Sequence, residues 1–167
     1  MKNVIITLTG ILIIIFLFNS CASVSSVAKK ITIESGEVPP DMKSEEFIII
    51  GVLKGRRSYD KYVKKEFSKY TGNYILAQKD EITEKYSDVN KYRYIMDYTK
   101  ESSTSTKYNP NYKQHGSQPF EDNTTTGYRY FIQDRKENKE YTRKSRSSNF
   151  KLEMRAYITA LESIRIK

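Results

Sequence analysis

The sequence predicts an α/β domain, a two-layer sandwich in which a mixed sheet of about five strands carries two main helices on one face. A short apolar run at 47–53 is followed by a helical pattern and by a second apolar run at 74–77. Strand, helix and strand joined by short links are typical of a βαβ unit, whose two strands are parallel. Further along, residues 127–144 alternate as a hairpin does, and the chain ends in a second helical stripe.

The first helix is predicted from aromatic and apolar residues that recur at helical spacing between residues 59 and 70. Ser58 is the expected N-cap and Gly72 the expected stop, because both residue types are favoured at those positions. The preceding run at 47–53 lacks polar alternation and is rich in β-branched residues, which is typical of a strand buried on both faces.

The second half of the chain contains a long polar stretch. Residues 92–98 alternate with tyrosines on one face, whereas residues 99–126 are polar throughout. So long a stretch without structure is uncommon in a compact domain, so 99–126 is predicted to be disordered, with a mobile binding loop as the alternative. A hairpin turning at 136–139 follows, and then a helix capped by Ser147 and Ser148. We expect the tyrosine-rich face of the sheet to be the one away from the helices, where rings pack and hydroxyls meet water.

The N-terminus has the pattern of an export signal. The apolar run at 4–18 is shorter than the about 20 residues that a membrane-spanning helix needs. It leads into the only cysteine of the chain, in the segment Leu17-Phe18-Asn19-Ser20-Cys21. This segment resembles the lipobox of bacterial lipoproteins, in which a small residue precedes the cysteine and an aliphatic residue lies three positions before it. Ser20 matches the small position, and Phe18 takes the aliphatic one.

The resemblance implies that residues 1–20 are removed and that Cys21 becomes the N-terminus, carrying a thioether-linked diacylglycerol and often an amide-linked acyl chain such as palmitate. It also implies a location in the cell envelope with the membrane as a partner. Ala22 and Ser23 stand where an Asp retains some lipoproteins in the inner membrane, so the outer membrane is favoured if two membranes are present. Cleavage elsewhere and an uncleaved anchor are the alternatives, but both leave a lone thiol unexplained in an oxidising compartment.

We therefore divide the chain into a signal peptide (1–20), a flexible tether (21–45) and a single α/β domain (46–167). Within the tether, Ile31-Thr32-Ile33 could instead dock on the sheet as an edge strand. The whole chain has 29 basic and 20 acidic residues, for a net charge of +9. A basic exported domain faces anionic partners such as lipid headgroups, phosphorylated glycolipids and cell-wall polymers. Solubility alone also accounts for the charge. Nucleic acid fits its sign but not the predicted location.

Few residues of this chain are suited to catalysis or to metal binding. A single histidine, His115 in the polar stretch, and a single cysteine exclude most zinc sites and make a Ser-His-Asp triad a poor fit. We expect no metal and no cofactor. Carboxylate pairs occur, but none lies in a pattern that would bury it and shift its pKa for acid–base work.

The best local constellation for binding is a basic loop between the first strand and the first helix. Lys54, Arg56 and Arg57 lie there, and Ser58 opens the helix. Helix N-termini present free N–H groups and partial positive charge, and arginines can clamp a phosphate with two hydrogen bonds. The spacing is not that of a P-loop, G-x-x-x-x-G-K-[ST], because Gly51 and Gly55 are only four residues apart and are followed by Arg56.

These observations favour a membrane-anchored envelope lipoprotein with a non-catalytic binding or scaffolding domain, whose partner is an envelope protein or an anionic cell-wall or glycolipid component. Two alternatives stay open. One is an envelope hydrolase that acts on cell-wall or lipid substrates through carboxylates that the sequence does not single out. The other is a binder of anionic polymers that uses the basic loop at 54–57.

Overall fold

The computed structural model describes residues 24–43, 47–108, 110 and 118–166. Five strands and three main helices follow one another along the chain, after a short helical segment at 24–28 and a 3-10 helix at Pro40–Lys43. They are β1 (Ile48–Leu53), α1 (Arg57–Phe67), β2 (Asn73–Gln78), α2 (Lys79–Lys85), β3 (Tyr94–Tyr108), β4 (Phe120–Asp134), β5 (Lys139–Thr142) and α3 (Phe150–Ile166).

The strands form one mixed sheet in the order β2-β1-β3-β4-β5. β1 pairs in parallel with β2 and with β3, while the β3–β4 and β4–β5 pairs are antiparallel. This confirms the predicted α/β fold with a mixed sheet of five strands and the βαβ unit at its start. The parallel pairs lie at one side of the sheet because β1 and β2 are joined through a helix rather than through a hairpin.

The main core lies between the sheet and the layer that contains α1 and α3. β1 alternates, with Ile49 in this core, while Ile50 and Val52 pack on the opposite face with Ile82 of α2. The strand is therefore buried on both faces, as its unbroken apolar pattern predicts. The two long helices share one face of the sheet, and the short α2 covers part of the other.

The N-terminal segment 24–43 packs on the main core, which corrects the prediction of a flexible tether at 21–45 and of a domain that begins at 46. Ile31, Val38 and Met42 are buried there. Glu37 is also buried, and its carboxylate accepts two hydrogen bonds from Arg143 Nη1, at 2.8 and 2.9 Å. The apolar residues of this segment follow turns rather than a regular period, so their burial leaves no pattern in the sequence. Residues 21–23 and 44–46 lie outside the described residues.

Much of the polar stretch 99–126 is β-structure, which corrects the prediction of disorder. Strands β3 and β4 stay in register from the Tyr94–Asp134 pair to the Tyr108–Phe120 pair. Ser and Thr hydroxyls face each other across the strands, as in the Thr104–Thr124 pair with 3.0 Å between the oxygens. Both faces of this ribbon are polar, so the alternation of apolar and polar residues that would reveal a strand is missing. The predicted loop residue His115 lies outside the described residues.

The tyrosine-rich face of the sheet is the one covered by the helices, contrary to the expectation that it would face away from them. Tyr94, Tyr98 and Tyr130 are all buried in the main core. Their rings supply the volume that a sheet without tryptophan needs beneath two helices. Tyr130 places its hydroxyl on the Phe150 carbonyl oxygen at 2.9 Å, so water is not required to satisfy it.

The predicted helix ends are displaced by a few residues. Arg56, not Ser58, is the N-cap of α1, and no side chain caps this end. The helix ends at Phe67, before Gly72. At the start of α3, the Asn149 side-chain oxygen accepts the Leu152 N–H at 3.1 Å and takes the capping role predicted for Ser147 and Ser148.

Candidate anion-binding site

The N-termini of α1 and α3 lie at the same end of the domain, next to the carboxyl end of β1. The Tyr59 ring at the start of α1 contacts the Phe150 ring at the start of α3, with 4.8 Å between their centroids. Beyond the other end of α1, the Thr71 hydroxyl donates to Glu162 near the end of α3 at 2.6 Å. The two helices therefore run side by side in the same direction, and their partial positive charges point to one region of the surface.

A groove of about 730 Å³ lies between these two helix starts. We call it the helix-end groove; its lining residues are Ser58, Tyr59, Tyr62, Tyr128, Ser148, Asn149, Phe150 and Lys151. Its wall is aromatic, and Lys151 Nζ lies over the Tyr62 ring at 4.3 Å from the centroid. The groove thus combines helix N–H ends, a cation and stacked rings.

A second, basic cleft of about 360 Å³ lies where β1 ends beside β3. We call it the Arg56 cleft; it is lined by Lys54, Arg56, Tyr98, Thr99 and Lys100. The charge of Lys54 is already matched, because its Nζ lies 2.7 Å from Asp97 Oδ1. Asp60 Oδ1 accepts the Lys54 backbone N–H at 3.0 Å, a neutral donor, so Asp60 keeps its negative charge beside the cleft. The unmatched positive charge of the cleft therefore comes from Arg56 and Lys100.

Tyr98 is the unusual group in the Arg56 cleft. Its side chain is 6% exposed, and its hydroxyl has no hydrogen-bond partner among the described residues. The pKa of Tyr98 is raised to about 12, chiefly by burial and also by the carboxylates of Asp60 and Asp97, against the opposing effect of Arg56. At neutral pH the hydroxyl therefore keeps its proton and can donate a hydrogen bond.

Arg56 lies close enough to two tyrosine hydroxyls to act on both electrostatically. Its positive charge lowers the pKa of Tyr98 and of Tyr128, although larger effects raise both pKa values overall. The largest effect that raises the pKa of Tyr128 is its hydrogen bond with the Tyr59 hydroxyl, with 2.5 Å between the two oxygens. Within the described part of the chain, the Arg56 guanidinium makes no hydrogen bond or ion pair of its own. Its donors are thus available to an anion.

The four residues predicted to bind an anion are only partly brought together. Lys54 and Arg56 line the Arg56 cleft, Ser58 lines the helix-end groove, and Arg57 lines neither. All four are exposed. Lys54 is paired with Asp97, and Arg57 lines neither cavity. Of the three predicted cations, Arg56 therefore both lines the cleft and has no ion-pair partner among the described residues.

Tyr98 and Lys100, which complete the Arg56 cleft, were not predicted from the sequence. Their alternation with Tyr94 and Met96 already places both on one face of a strand. The missing information was that this strand lies beside β1, with Gly51 paired to Met96. That pairing carries Tyr98 and Lys100 past the end of β1 and up to the basic loop.

The buried carboxylates of the described residues are neutralised by arginines or a lysine rather than grouped in a pocket. Glu37 and Glu153 both bind Arg143, at 2.8 and 2.7 Å, and Asp134 binds Arg93 at 2.7 Å. The fourth, Glu66, contacts a lysine and an arginine, Lys69 and Arg155. Over the described ranges, no three acidic, histidine or cysteine side chains are placed to hold a metal ion.

The predicted lipidation site at Cys21 lies outside the described residues, as does the signal peptide at 1–20. Among the helices that the structure describes, none has the length and apolar character to cross a membrane. No protein-family model, curated protein or solved structure matches this chain. Its function must therefore be argued from its own residues.

Proposed function

We propose that this chain is a lipid-anchored protein of the bacterial cell envelope whose α/β domain binds a phosphate-bearing envelope component without catalysing a reaction. The observation that carries the proposal is the buried Tyr98 hydroxyl, which lacks a partner among the described residues and lies beside the unpaired Arg56. A buried donor without a partner costs about 1–3 kcal/mol. A ligand oxygen that accepts from Tyr98 and from Arg56 removes that cost.

Phosphate is the anion that best suits the Arg56 cleft. An arginine can give two parallel hydrogen bonds to a phosphate, and a lysine such as Lys100 adds a point charge. The N-terminus of α1, which no side chain caps, adds its partial positive charge beside the cleft. Phosphate diesters in lipid headgroups and in cell-wall polymers both present this chemistry, and the predicted envelope location would bring the domain to either.

The packing of segment 24–43 on the core limits how far a lipid anchor at Cys21 would let the domain lie from the membrane. If Cys21 is the lipidated terminus, only residues 22 and 23 separate it from the described segment that begins at Val24. An extended chain covers at most about 3.6 Å per residue, so the domain would sit at the membrane surface rather than at the end of a long tether. Such a short connection would keep the whole domain within reach of phosphate groups at the membrane surface.

The alternative of an envelope hydrolase receives less support. Acid–base catalysis by carboxylates needs two acids that face a substrate pocket. Glu37 and Glu153 do converge, but the guanidinium of Arg143 lies between them and holds both. The acids nearest the Arg56 cleft, Asp60 and Asp97, already accept hydrogen bonds from Lys54.

The proposed binding is tested by titrating the full-length protein in neutral detergent micelles at fixed ionic strength. The probes are inorganic phosphate and poly(glycerol phosphate). The binding of each probe is measured by calorimetry and by the NMR shifts of arginine Nε–H groups. We expect Arg56→Ala to weaken binding by roughly tenfold or more, because a charge-assisted hydrogen bond contributes about 1.5–3 kcal/mol. Arg57→Ala removes the same charge one residue away and lines neither cavity, so it should change binding less than about threefold.

Equal losses for the two variants would mean diffuse charge rather than a site, and would overturn the proposal. Binding of the polymer alone would indicate a cell-wall ligand, whereas binding of both probes would indicate recognition of the phosphate group itself. The anchor is tested separately with Cys21→Ser, which should abolish lipid labelling and removal of residues 1–20. A labelled and cleaved variant would contradict the lipoprotein assignment while leaving the binding result intact.

A further inference from the structure

The β3–β4 pair extends well beyond the rest of the sheet. β1 pairs with β3 only as far as Met96, and β5 pairs with β4 only from Phe131 onward. The remaining part, residues 99–108 and 120–127, is a two-stranded ribbon that we call the arm. Its side chains are mostly exposed. A two-stranded ribbon is only marginally stable in water, and three or more strands are normally needed.

The two edges of the arm differ in how far they are open. At the β4 edge, Tyr128 bridges Ser147, and a Cβ at Gly127 would lie 3.2 Å from Arg146. The Arg146 side chain also reaches over to the Ser103 hydroxyl, at 2.7 Å. The β3 edge has no strand partner beyond Met96 among the described residues. Its backbone N–H and C=O groups are therefore the ones available to a further strand.

We propose that the arm pairs with the arm of a second copy of this chain, β3 against β3 and antiparallel, around a two-fold axis at Thr104. A two-fold pairing uses the same surface patch on both copies and closes into a dimer. It converts two marginal ribbons into one four-stranded antiparallel sheet. The proposal rests on the arm alone and does not depend on a ligand in the Arg56 cleft.

The charges along β3 select this register. With Thr104 on the axis, Glu101 of each copy lies directly opposite Lys107 of the other. Glu101 already contacts Arg129 of β4 at 2.9 Å, so each Lys107 adds a second cation to that ion pair. Moving the axis to Glu101 would instead place two glutamates face to face. In the chosen register no like charges oppose each other between Lys100 and Tyr108.

The uncharged residues of the arm are also suited to this pairing. Ser102, Ser103 and Thr104 already face hydroxyls of β4, with 3.0–3.1 Å between the oxygens. In the dimer Ser103 lies opposite Ser105 and Ser102 opposite Thr106 of the other copy, so these hydroxyl rows continue onto a third strand. The Thr104 row, which has Thr124 at both ends, spans all four strands.

The same register brings the tip of one arm to the other copy's Arg56 cleft. Tyr108, which is 61% exposed, comes opposite Lys100 of the second copy. Positions 98, 100 and 108 share one face of the strand, because side chains alternate along it. The Tyr108 ring would therefore stand at the mouth of the cleft that Lys100 lines.

Thiol cross-linking of the full chain in bacterial membranes tests the pairing. In Thr104→Cys the two thiols meet across the axis, and a mild oxidant or a short thiol cross-linker should give a covalent dimer. Thr124→Cys is the matched control, since the two positions 124 are three strand spacings apart, roughly 14 Å. The wild-type chain controls for a free thiol at Cys21. Cross-linking of Thr104→Cys no faster than Thr124→Cys would overturn the proposal.

Charge exchange tests the register within the Thr104→Cys background. Glu101→Lys alone and Lys107→Glu alone each create two like-charge pairs, so each should lower the cross-linking rate by about tenfold. Co-expression of the two variants recreates opposite charges at both pairs of the mixed dimer and should restore the rate. Trypsin resistance of each variant shows that the domain is folded. Failure of the mixture to exceed either variant alone would exclude this register.

Discussion

Tyrosine hydroxyls of the core differ, at the residue scale, in whether a hydrogen-bond partner is close to them. The buried Tyr157 donates to the Glu37 carbonyl oxygen at 2.6 Å, and Tyr130 donates to the Phe150 carbonyl oxygen at 2.9 Å. Tyr98 is buried to a similar degree, yet its hydroxyl has no partner among the described residues. Because most buried polar groups in folded proteins are hydrogen-bonded, an exception beside an unpaired arginine indicates a position for a ligand atom.

Tyr98→Phe separates stability from binding. The substitution removes a hydroxyl without a partner, so the free energy of unfolding should stay the same or rise by up to about 1 kcal/mol. Affinity for inorganic phosphate should fall, because a ligand donor is lost. Urea unfolding and calorimetry measure the two quantities. Tyr130→Phe is the control. Its free energy of unfolding should fall by about 1 kcal/mol, while its affinity for inorganic phosphate should not change. Unchanged affinity in Tyr98→Phe would remove Tyr98 from the site.

A second residue-scale prediction concerns the buried cluster of Glu37, Arg143 and Glu153. Glu37→Ala leaves Arg143 with one carboxylate in a buried setting, which should lower the free energy of unfolding by about 3–5 kcal/mol. It should also release the segment 24–43, seen as faster tryptic cleavage after Lys29 and Lys30. Glu84→Ala, an exposed change, should stay within about 0.5 kcal/mol of the wild type. Wild-type cleavage rates in Glu37→Ala would contradict the role given to this cluster.

At the element scale, the close approach of α1 to β1 depends on a glycine. A Cβ at Gly51 would lie 2.6 Å from the Phe67 ring of α1 and 2.7 Å from Leu76 of β2. No room is left there for a methyl group, so the helix and both strands pack at a distance that only glycine permits. This packing sets where α1 begins relative to the end of β1, and so the position of Arg56.

Gly51→Ala should therefore lower the free energy of unfolding by about 1–3 kcal/mol through overpacking. Gly127→Ala is the matched control in β4, because its nearest neighbour, Arg146 Cβ at 3.2 Å, leaves more room than the 2.6 Å approach at Gly51. Urea unfolding of the two variants measures the difference. A smaller loss for Gly51→Ala than for Gly127→Ala would show that the contact with Phe67 does not limit the helix position.

At the scale of the whole molecule, stability depends on carboxylates at low pH and on tyrosines at high pH. Burial raises the pKa of Asp134, but hydrogen bonds from Arg93 and from two backbone N–H groups outweigh it and leave the pKa below its ordinary value. Burial raises the pKa of Tyr70 and of Tyr98 to about 12, and that of Tyr130 and Tyr157 as well.

The sign of each pKa shift predicts a plateau of stability with two falling limbs. A lowered carboxyl pKa stabilises the fold above its ordinary value of 3.8 and loses this effect as the pH falls through the folded value. A raised tyrosine pKa stabilises the fold below its ordinary value of 10.0, and the effect is lost between pH 10 and about 12 for Tyr98.

Urea unfolding from pH 2 to 12, with tyrosinate absorbance on the alkaline side, measures both limbs. Asp134→Asn should be less stable at neutral pH and should show a shallower acid limb, because the charged form of Asp134 no longer contributes. An acid limb as steep as that of the wild type would assign the effect to other carboxylates, Glu162 first among them, since hydrogen bonds from Thr71 and Arg165 also hold its pKa low against burial.

Much of the fold was predictable because its signals are local. Each signal is contained in a window of about ten residues: the apolar run of β1, the helical spacing in α1 and α3, and the hairpin at 136–139. The Arg56 cleft was predictable in part, since Arg56 and Lys54 adjoin a helix start. Its other members were not, because Tyr98 and Lys100 come close to Arg56 only through the pairing of β1 with β3.

The amino-acid sequence is sufficient to predict the α/β class, the order of the main elements and the lipobox-like segment ending at Cys21. The folded structure is needed to see that 24–43 is part of the domain, that 99–108 is a strand and that the tyrosines lie beneath the helices. Each of these depends on a partner distant in sequence: Arg143 for Glu37, β4 for β3, and α3 for Tyr130. Contacts of that kind leave no period in the sequence of either partner, so periodicity alone could not reveal them.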